Sequence, residues 1–512
     1  MLDSINDVSL TPLSPLHIGS GDEYAPSNFV YSSEAKCLYC FDPSQAFLVG
    51  SLRDRLLQVA KTGRLSDIYQ FFKANQDTFI PYTKQVLPSA VQLDNNINAI
   101  LRGSNTKNLE IQRSCYYELP ENIEQYIPGS SVKGVIHTAL LDAVNAGEVH
   151  NEKSNLDQEI LEGTMEKSPM RLINVSDFRS DGIRPYVAVV RANRCYKKDM
   201  QPSGIVQYFE TIIGGQYRLF KGKIKISQSK IATDRYAYSE VKKMVKDLNK
   251  YFWPLFEKEF SYLARGTQGS KQWALSLKKL CSDLKPLFDN GDIALVKIGK
   301  NSGAESLVLH GANVASIRIK TQDGYVRQDH TTTFFAAEDA FNGQQAHIPF
   351  GWSLMEFNPK KENLVLKQWC EKIFALLQSA SFDVETELNR LSQVRKVIDE
   401  KRQHLEEERQ KELAAKLEAQ KAEKEKELAL ASMSENERRV VILCEKLQKA
   451  NDAKPGQPLN LETYNLLKEA LDWTKEDQKA FAQKLRPMFK PKKLDEGGKG
   501  KEMKAMLRTL ES

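Results

Sequence analysis

Residues 126–141 read YIPGSSVKGVIHTALL, a Pro-Gly turn followed by a run that is apolar at helical spacing. The turn predicts the end of a strand, and Ser130 or Ser131 is expected to cap the next helix by accepting a hydrogen bond from a backbone N–H. Free N–H groups at a helix start form an anion site, and Lys133 adds a positive charge beside them. The stretch predicts either an anion-binding helix start or a capped core helix with a solvated lysine, and capped helices are commoner.

Length and composition indicate a globular chain of two or three domains. The chain has 512 residues, of which 41% are hydrophobic and 9% aromatic. Its 73 Lys and Arg residues against 67 Asp and Glu residues leave a net charge of +6, and much of the acidic charge lies late in the chain. The earlier part can therefore present basic surface, which favours a polyanionic partner without establishing one.

Cysteine usage and hydropathy predict a soluble, cytoplasmic protein. Seven scattered cysteines argue against a disulfide framework and fit a reducing compartment. The sequence shows no N-terminal signal and no stretch that approaches the roughly 18 apolar residues of a membrane span. Cys37 and Cys40 have the CxxC spacing of a zinc half-site, but no second pair follows, and two small residues in a strand are the commoner explanation. No metal and no cofactor are expected.

Two further segments combine strand patterns with glycines. Residues 8–21, VSLTPLSPLHIGSG, alternate apolar and polar positions, and Pro12 and Pro15 predict an edge strand or an extended exit from a strand. The glycines at the end of this segment let the backbone approach a ligand closely. Residues 294–306, ALVKIGKNSGAES, predict a strand that runs into a glycine loop with lysines on both sides, an arrangement that suits phosphate contact. A hairpin is expected over residues 29–41, followed by a helical insertion.

One strand pattern is strongly basic. Residues 216–226, QYRLFKGKIKI, interleave the cations Arg218, Lys221, Lys223 and Lys225 with aromatic and aliphatic side chains. One face of such a strand would be basic, as in platforms for single-stranded nucleic acid. A solvated sheet face explains the pattern equally well.

From about residue 365 the pattern becomes uninterrupted helix. Apolar residues recur every seven positions from Leu391 to Leu405, a weak coiled-coil spacing. Residues 401–427 are mostly charged, with Glu and Lys placed for i,i+4 pairs. This pattern predicts a solvated spacer helix and then a small helical unit whose helices start with capping boxes. The lysine- and glycine-rich residues 490–504 are expected to be mobile.

The sequence argues against several catalytic classes. Gly129 and Gly134 have the separation of a nucleotide-binding phosphate loop, but Val-Ile follows where Lys-Ser/Thr is required, so nucleotide hydrolysis is not expected. No HExxH or GxSxG motif is present. His17 and His137 could serve as a general acid and base in RNA cleavage if they meet in space, although two histidines are weak support.

Three stretches together resemble the RAMP superfamily of CRISPR RNA-binding proteins, namely residues 10–21, 127–134 and 296–303. Their order and spacing look most like the Csm-family subunit of type III-A effectors that lies at the crRNA 3′-end side. The resemblance covers roughly residues 1–361. It implies binding of crRNA without chemistry on it, and stacking on the repeating backbone RAMP subunits.

The resemblance also implies a fold and a set of partners. An α+β fold is expected, with two ferredoxin-like (RRM-like) modules carrying insertions at residues 1–220 and 221–361. The charge pattern adds a long charged helix at 362–431 and a small helical unit with a mobile basic tail at 432–512. Expected partners are crRNA, the backbone RAMP subunits and other Csm-family subunits. Target RNA and the host nucleases of crRNA 3′-end maturation are further candidates, and no membrane partner is expected.

The candidate RNA-binding residues follow from the motifs. By the resemblance, residues 299–303 would hold RNA phosphates at the second glycine loop, and the helix start would do so through Ser130, Ser131, Lys133 and Gly134. His137 stands where the family commonly has arginine, and a neutral imidazole would hold phosphate less strongly at pH 7. The full candidate set is His17, Gly19, Ser20, Gly21, Gly129, Ser130, Ser131, Lys133, Gly134, His137, Arg191, Arg194, Lys221, Lys223, Lys297, Gly299, Lys300, Asn301, Ser302 and Gly303.

Three functions are compatible with these patterns. The main hypothesis is a non-catalytic crRNA-binding subunit of a type III-A complex, whose binding is sequence-tolerant and weakened by salt. A metal-independent RAMP endoribonuclease that processes CRISPR transcripts is the enzymatic alternative. The helical tail alone would suit a protein-docking scaffold.

Overall fold

The computed structural model describes residues 3–44, 50–90, 93, 97, 110–119, 123–150, 156–161, 167–228, 236–311, 314, 317–321, 324–453, 461–488 and 498–512. The chain divides into two compact units, Met1–Val397 and Ile398–Ser512. The first unit contains both helices and strands, which confirms the predicted α+β class, and the second unit is helical in its described part. None of the described helices is long and apolar enough to cross a bilayer.

The strands, in chain order, are β1 Ser4–Pro12, β2 Gly19–Tyr24, β3 Phe29–Ser32, β4 Cys37–Cys40, β5 Gln85–Pro88, β6 Ile111–Ser114, β7 Tyr116–Glu118, β8 Ile123–Gln125, β9 Ile173–Val175, β10 Val187–Tyr196, β11 Pro202–Ile212, β12 Phe220–Ile226, β13 Ile293–Lys297, β14 Ile317–Thr321, β15 Gly324–Gln328, β16 Thr333–Phe341, β17 Gln344–Pro349 and β18 Trp352–Phe357.

The α-helices are α1 Gly50–Ala60, α2 Leu65–Ala74, α3 Gln76–Phe79, α4 Gly129–Asn145, α5 Leu156–Ile160, α6 Val241–Leu263, α7 Gln268–Asp283, α8 Lys285–Asn290, α9 Leu364–Leu376, α10 Val384–Ser432, α11 Glu435–Ala453, α12 Leu461–Glu469, α13 Lys475–Leu485 and α14 Gly498–Glu511. Short 3-10 turns lie at Ile80–Tyr82, Pro169–Leu172, Ala304–Ser306, Gln378–Ala380, Ala470–Asp472 and Arg486–Met488.

The first sheet has the strand order β13–β18–β1–β12–β9 and is antiparallel at every pairing. The elements β1, α4, β9, β12, α6 and β18 follow one another in the β-α-β-β-α-β order of a ferredoxin-like unit. Helices α4 and α6 pack against each other, and their buried Val132 and Leu248 share one apolar core with Leu10 of β1. The order matches one ferredoxin-like unit with β13 added at its edge, and the predicted count of two remains a prediction.

The second sheet has the strand order β17–β16–β10–β11–β6–β2, with α7 packed on β16 and β17. Its centre is the long hairpin β10–β11, whose register shifts at a bulge between Ala192 and Arg194. The pairing of β6 with β11 is parallel, and the other pairings are antiparallel. A bulge twists and bends the strand that carries it, so the outer end of the hairpin is re-aimed relative to the rest of the sheet.

The predicted boundary at residue 220 does not separate two units. Both neighbours of β1 begin at Phe220 or later, and β10 pairs with β16, which begins at Thr333. Strands from the two predicted modules therefore share each sheet, and one continuous core runs from Val8 to Leu377. A segment that ended at residue 220 would leave both edges of β1 without hydrogen-bond partners.

Strand β1 is central in its sheet, so the edge position that its prolines suggested is wrong, whereas the predicted extended exit is confirmed. Pro12 is the last residue of the strand, where a backbone N–H is not needed. The exit then crosses to the second sheet, where the N–H groups of Leu16 and Ile212 each donate to the other's carbonyl at 2.9 Å. Pro15 accepts from Gly351 N at 2.9 Å. The exit segment therefore joins the two sheets through backbone hydrogen bonds.

Helix α4 begins at Gly129, and neither predicted serine caps it. Instead, Asp177 Oδ1 accepts a hydrogen bond from Gly129 N at 2.8 Å, so the helix start already holds a carboxylate. A β-carbon at Gly129 would lie 2.4 Å from Val175 O, which only glycine avoids. A β-carbon at Gly134, one and a half turns later, would meet nothing within 4 Å. Close packing therefore requires a glycine at position 129, whereas no neighbouring atom requires one at position 134.

The insertion after β4 has its own aromatic core. Phe41, Phe71, Phe72 and Phe79 pack together under α1–α3, and the predicted hairpin over residues 29–41 is confirmed as β3–β4. The predicted insertion is only partly described, because residues 45–49, 91–92, 94–96, 98–109 and 120–122 lie outside the described residues.

Cys37 and Cys40 are buried free thiols, so the zinc half-site interpretation is not supported. The two cysteines lie three positions apart on β4, and their side chains point to opposite faces of the strand. Cys37 belongs to a small cluster with Leu391, whereas Cys40 lies in the main core. Among the described residues no group of three or more His, Cys, Asp or Glu could hold a metal ion.

The helix predicted to run without interruption from residue 365 is broken. Helix α9 packs Leu366, Cys370 and Ile373 into the core of the first unit. A 3-10 turn follows, in which Asp339 Oδ2 accepts from Ser379 Oγ at 2.5 Å. The long charged helix, α10, starts only at Val384. The predicted domain boundary at residue 361 is therefore too early.

The second unit has a compact helical core, as predicted. Apolar side chains of α11–α14, among them Leu443, Leu467 and Phe481, pack together. On α10 the repeat that suggested a coiled coil is buried only at its start, because Leu391 is 2% exposed and Leu405 is 65% exposed. The predicted mobile tail is corrected in part, since α14 begins at Gly498 and buries Leu507 in the same core. Residues 490–497 of that tail lie outside the described residues.

We predict opposite stability effects for the two glycines of helix α4. Gly129→Ala should destabilise the chain by about 1–3 kcal/mol, because a methyl group forced against backbone carbonyls shifts the helix start. Gly134→Ala is the matched control and should be neutral or stabilising by up to about 1 kcal/mol, because alanine favours a helix interior. Chemical denaturation of both variants measures the difference. Equal stability of the two variants would contradict the close packing at Gly129.

We also predict where the first unit can be truncated. A chain that ends at Val397 should unfold at the same denaturant midpoint as the first unit of the full chain. A chain that ends at Glu362 should lose several kcal/mol, because α9 fills the core with large apolar side chains. Circular dichroism during urea unfolding distinguishes the two cases. Equal stability of both truncated chains would show that α9 is dispensable.

Candidate nucleic-acid interface

Backbone hydrogen bonds bring the three glycine-containing stretches into one region. Lys300 N of the second glycine loop donates to His17 O at 2.8 Å. The next residue, Ile18, accepts from Cys115 N at 2.7 Å, and Cys115 O accepts from Tyr126 N at 3.2 Å. Tyr126 leads directly into the turn that starts helix α4. Stretches far apart in sequence thus become neighbours.

The second glycine loop is shaped by close backbone packing. Gly299 has φ +91°, and a β-carbon there would lie 2.5 Å from His17 O. Asn301 adopts a left-handed φ of 67°, which asparagine tolerates better than most residues. Lys300 is exposed, bonds to the Gln112 side chain and lies 5.7 Å from the centre of the Phe209 ring. Lys300 is thus the cation that this loop presents to solvent.

Two predicted loop contacts are buried. The ammonium of Lys297 lies 2.7 Å and 2.9 Å from the carboxylate oxygens of Glu259, and its side chain is 7% exposed. Trp352 covers that ammonium at 5.1 Å from the ring centre. Ser302 is also buried and accepts from Ser306 Oγ at 3.0 Å. Removing one partner of a buried ion pair strongly destabilises the protein, because the remaining charge stays buried without compensation. Lys297 and Ser302 therefore belong to the core and not to a surface contact.

His17 is a buried structural residue. Its Nδ1 lies 2.7 Å from Glu210 O and its ring packs on Phe209 at 4.8 Å between centres. Burial lowers the pKa of His17 to about 4, and the nearby Lys300 charge acts in the same direction. His137 is partly exposed, with Nε2 2.7 Å from Asp157 Oδ1. The two histidines have separate partners, and the structure does not assemble the predicted acid–base pair.

A fully buried carboxylate, Glu210, lies under this region. It accepts hydrogen bonds from Gln85 Nε2 at 2.7 Å, Gln125 Nε2 at 2.6 Å and Ser114 N at 3.1 Å. The guanidinium of Arg113 stands 3.9 Å away. Burial raises the pKa of the Glu210 carboxyl, and Arg113 opposes that shift. The network joins four elements: β5, β6, β8 and β11.

Sequence reasoning missed Glu210, although a signal was present. Residues 206–213, VQYFETII, predict a strand, and one acid stands among its apolar residues. A lone carboxyl group within a buried strand requires several hydrogen-bond donors, because an unpaired buried charge is costly. The sequence could thus have indicated that Glu210 needs donors, but not which strands supply them.

The start of helix α4 presents a mixed electrostatic surface. Ser130 and Gly134 are exposed, and Ser131 and Lys133 are half-buried. Lys133 has no ion-pair or hydrogen-bond partner among the described residues. The carboxylate of Asp177 also lies here and accepts from Tyr117 Oη at 2.8 Å. The helix start therefore offers hydroxyl groups and a cation next to a resident anion.

The basic strand of the first sheet is neutralised by aspartates. Lys221 lies 2.9 Å from Asp181, and Lys225 lies 2.8 Å from Asp3. In the same way, Lys223 faces Asp7 at 3.7 Å. The predicted basic face is thus balanced in charge, which agrees with the alternative interpretation as a solvated sheet face. We therefore exclude Lys221 and Lys223 from the proposed RNA contacts.

The remaining candidates lie on the second sheet. Gly19, Ser20 and Gly21 are exposed on its edge strand β2. Arg191 is paired with Glu338 at 2.7 Å, whereas Arg194 is exposed and lies over the Phe335 ring at 5.4 Å. Arg194 has no carboxylate partner among the described residues. The second sheet thus contributes cations of two kinds, one neutralised and one free for a ligand.

One relative and two solved structures are similar to parts of this chain. The sequence is 24% identical over 169 residues to the CRISPR system Cms protein Csm5 of Enterococcus italicus, covering 31% of this chain and 48% of that protein. The chain thus spans about half the length of that curated relative. A chain of a Csm–crRNA–target RNA ternary complex of a type III-A system is 14% identical with a TM-score of 0.37, covering 69% of this chain and 100% of that one. Csm5 of T. onnurineus is 15% identical with a TM-score of 0.40, covering 67% and 99%.

The family itself follows from a longer match. The sequence model of the RAMP superfamily matches residues 9–303. That region includes all three glycine-containing stretches and more than half of the 512 residues. It also includes the second part of β1 and all of α4, β9, β12 and α6 of the ferredoxin-like order. The chain belongs to the RAMP superfamily.

Proposed function

We propose that the chain is a non-catalytic crRNA-binding subunit of a type III-A (Csm) CRISPR interference complex, at the crRNA 3′-end side. The observation that carries the proposal is the meeting of three glycine-containing stretches in one surface region. The curated relative is a Csm5 protein, and one structural neighbour belongs to a complex with crRNA and target RNA. Supporting crRNA 3′-end maturation and complex assembly would be the role of such a subunit.

The proposed RNA contacts are the motif residues that the structure leaves accessible. Buried residues, paired cations and the packing glycines Gly129 and Gly299 are left out. The remaining residues are Gly19, Ser20, Gly21, Ser130, Ser131, Lys133, Gly134, His137, Arg194, Lys300, Asn301 and Gly303. Hydroxyl groups, backbone N–H groups and lysines hold phosphates without reading bases, so binding would be tolerant of sequence and sensitive to salt.

Further partners belong to the same proposal. A RAMP subunit at one end of a crRNA would contact the repeating backbone subunits and other Csm-family subunits, with target RNA in reach. Recruitment of host nucleases would complete crRNA maturation, because the structure does not bring His17 and His137 together as an acid–base pair. A second ferredoxin-like module, built on the second sheet (β17–β16–β10–β11–β6–β2), would enlarge the RNA-binding surface. The location of the protein would be that of its complex, in the cytoplasm.

Removing both accessible motif lysines should weaken crRNA binding. Lys133→Ala combined with Lys300→Ala should reduce the slope of log K against log[salt] by roughly 1.4, because each phosphate contact on single-stranded RNA contributes about 0.7. Fluorescence anisotropy with labelled repeat RNA over a salt series measures the slope.

The matched control replaces two neutralised lysines. Lys223→Ala combined with Lys225→Ala removes the same charge from the aspartate-paired strand and should leave the slope unchanged. Unchanged crRNA retention by the Lys133/Lys300 variant would refute the phosphate assignment. An equal loss from both double variants would mean that only overall charge matters.

His17 should behave as a structural residue and not as a catalyst. The folded chain holds His17 neutral with a pKa of about 4, whereas the unfolded chain takes up a proton near pH 6.5. The contribution of this residue to the free energy of unfolding is thus fully present above about pH 6.5. It is lost as the pH falls towards 4, and the total loss is roughly 3 kcal/mol. Urea unfolding at pH 7 and pH 4.5 should show this loss in the wild type and a smaller loss in His17→Gln.

Incubation with repeat RNA in EDTA tests the enzymatic alternative. We expect intact RNA from the wild type, from His17→Gln and from His137→Ala across pH 5–8. Metal-independent cleavage that disappears in His17→Gln or His137→Ala would establish an endoribonuclease instead.

A further inference from the structure

The outer end of the hairpin β10–β11 carries exposed aromatic and basic side chains. Tyr196 is 39% exposed and Arg194 is exposed, and both lie on the outer part of β10. Lys198 follows them with a side chain that is 79% exposed. Phe335 of the neighbouring strand β16 is half-buried. We name these four residues the hairpin strip.

Strand register places the members of the hairpin strip side by side. Arg194 is directly opposite Phe335, and Tyr196 is opposite Thr333, two positions along the same strands. Residues two apart on a strand point to the same face, so both rings face the same way. The guanidinium of Arg194 lies 5.4 Å from the Phe335 ring centre, and Lys198 Nζ lies 5.6 Å from that of Tyr196. Each ring has its own cation.

Arg194 carries the uncompensated charge of the hairpin strip. Arg194 has no carboxylate partner among the residues that the structure describes. The nearest acid to Lys198 is its neighbour Asp199, at 3.9 Å. Lys198 is therefore paired much as Lys223 of β12 is, whose partner Asp7 lies at 3.7 Å. Arg194 is thus the cation of the strip that remains available to a ligand.

We propose that the hairpin strip binds single-stranded RNA, with bases stacked on Tyr196 and Phe335 and phosphates held by Arg194 and Lys198. This inference rests on the proposed RNA-binding function and adds a stacking surface that the glycine motifs lack. Aromatic rings accept any base, and arginine stacks on a base as well as pairing with phosphate. A protein-docking surface would need no uncompensated arginine beside an aromatic ring. The available charge therefore favours a polyanion that also offers flat aromatic faces.

Binding of labelled oligouridine by the full-length chain tests the hairpin strip. Tyr196→Ala should weaken binding roughly 5- to 100-fold, which is the effect of losing one stacked base. Tyr196→Phe keeps the ring and should bind like the wild type. Arg194→Ala should reduce the salt slope by about 0.7, because it removes a cation that has no carboxylate partner among the described residues, whereas Lys223→Ala, an exposed lysine paired with Asp7, should not. Ultraviolet cross-linking should attach the RNA to a peptide that contains Tyr196.

The outcomes separate this inference from the proposed function. If the wild type binds RNA and Tyr196→Ala binds it equally tightly, the hairpin strip is wrong and the proposed function stands. If the wild type binds neither oligouridine nor crRNA, the proposed function fails and the strip fails with it. If Tyr196→Ala keeps RNA affinity but no longer co-purifies with another complex subunit, the strip is a protein interface, which also overturns the inference. Circular dichroism of each variant confirms that it is folded.

Discussion

The buried carboxylate of Glu210 is the interaction on which the candidate interface depends. Strands β5, β6 and β8 each place a donor on it, and its own carbonyl accepts from His17. A charge removed from water is tolerated only when hydrogen bonds satisfy it, so these strands must stay in register for Glu210 to be buried at all. Removal of any one partner leaves polar groups unpaired inside the protein, which costs several times more than an average hydrogen bond contributes. The network thus sets the relative positions of segments that no local preference would bring together.

Backbone contacts at glycines then bring the surface loops close. Gly129 and Gly299 allow carbonyl groups to approach within distances that a β-carbon would not permit. These glycines are packing residues, although they belong to motifs that suggest ligand binding. Gly134 meets no neighbour, so of the two glycines of helix α4 it is the one that leaves room for a ligand beside the backbone. A glycine motif therefore combines positions with different physical purposes, and the surroundings of each glycine distinguish them.

Much of the local structure could be predicted from sequence, because it depends on neighbouring residues. The first strand with its extended exit, the helix after the Pro-Gly turn and the hairpin over residues 29–41 all follow from periodicity and turn chemistry. Long-range pairing could not be predicted in the same way. Nothing local to Lys297 indicates that Glu259 will meet it, and the strand pattern around Lys221 does not reveal its partner Asp181. The module boundary at residue 220 was wrong for the same reason, since the neighbours of β1 come from more than 200 residues away.

The carboxylate of Asp177 changes how the start of helix α4 can take part in binding. The N–H of Gly129 is already satisfied by that carboxylate, and Tyr117 holds its second oxygen. A phosphate that docks on this N–H has to displace an internal anion, so the event is an exchange of one acceptor for another. Its free energy is the difference between two similar interactions and does not include the full attraction of the helix dipole for a negative charge. Selectivity at this position then comes from whatever else the incoming group can reach, and Lys133 is the cation beside it.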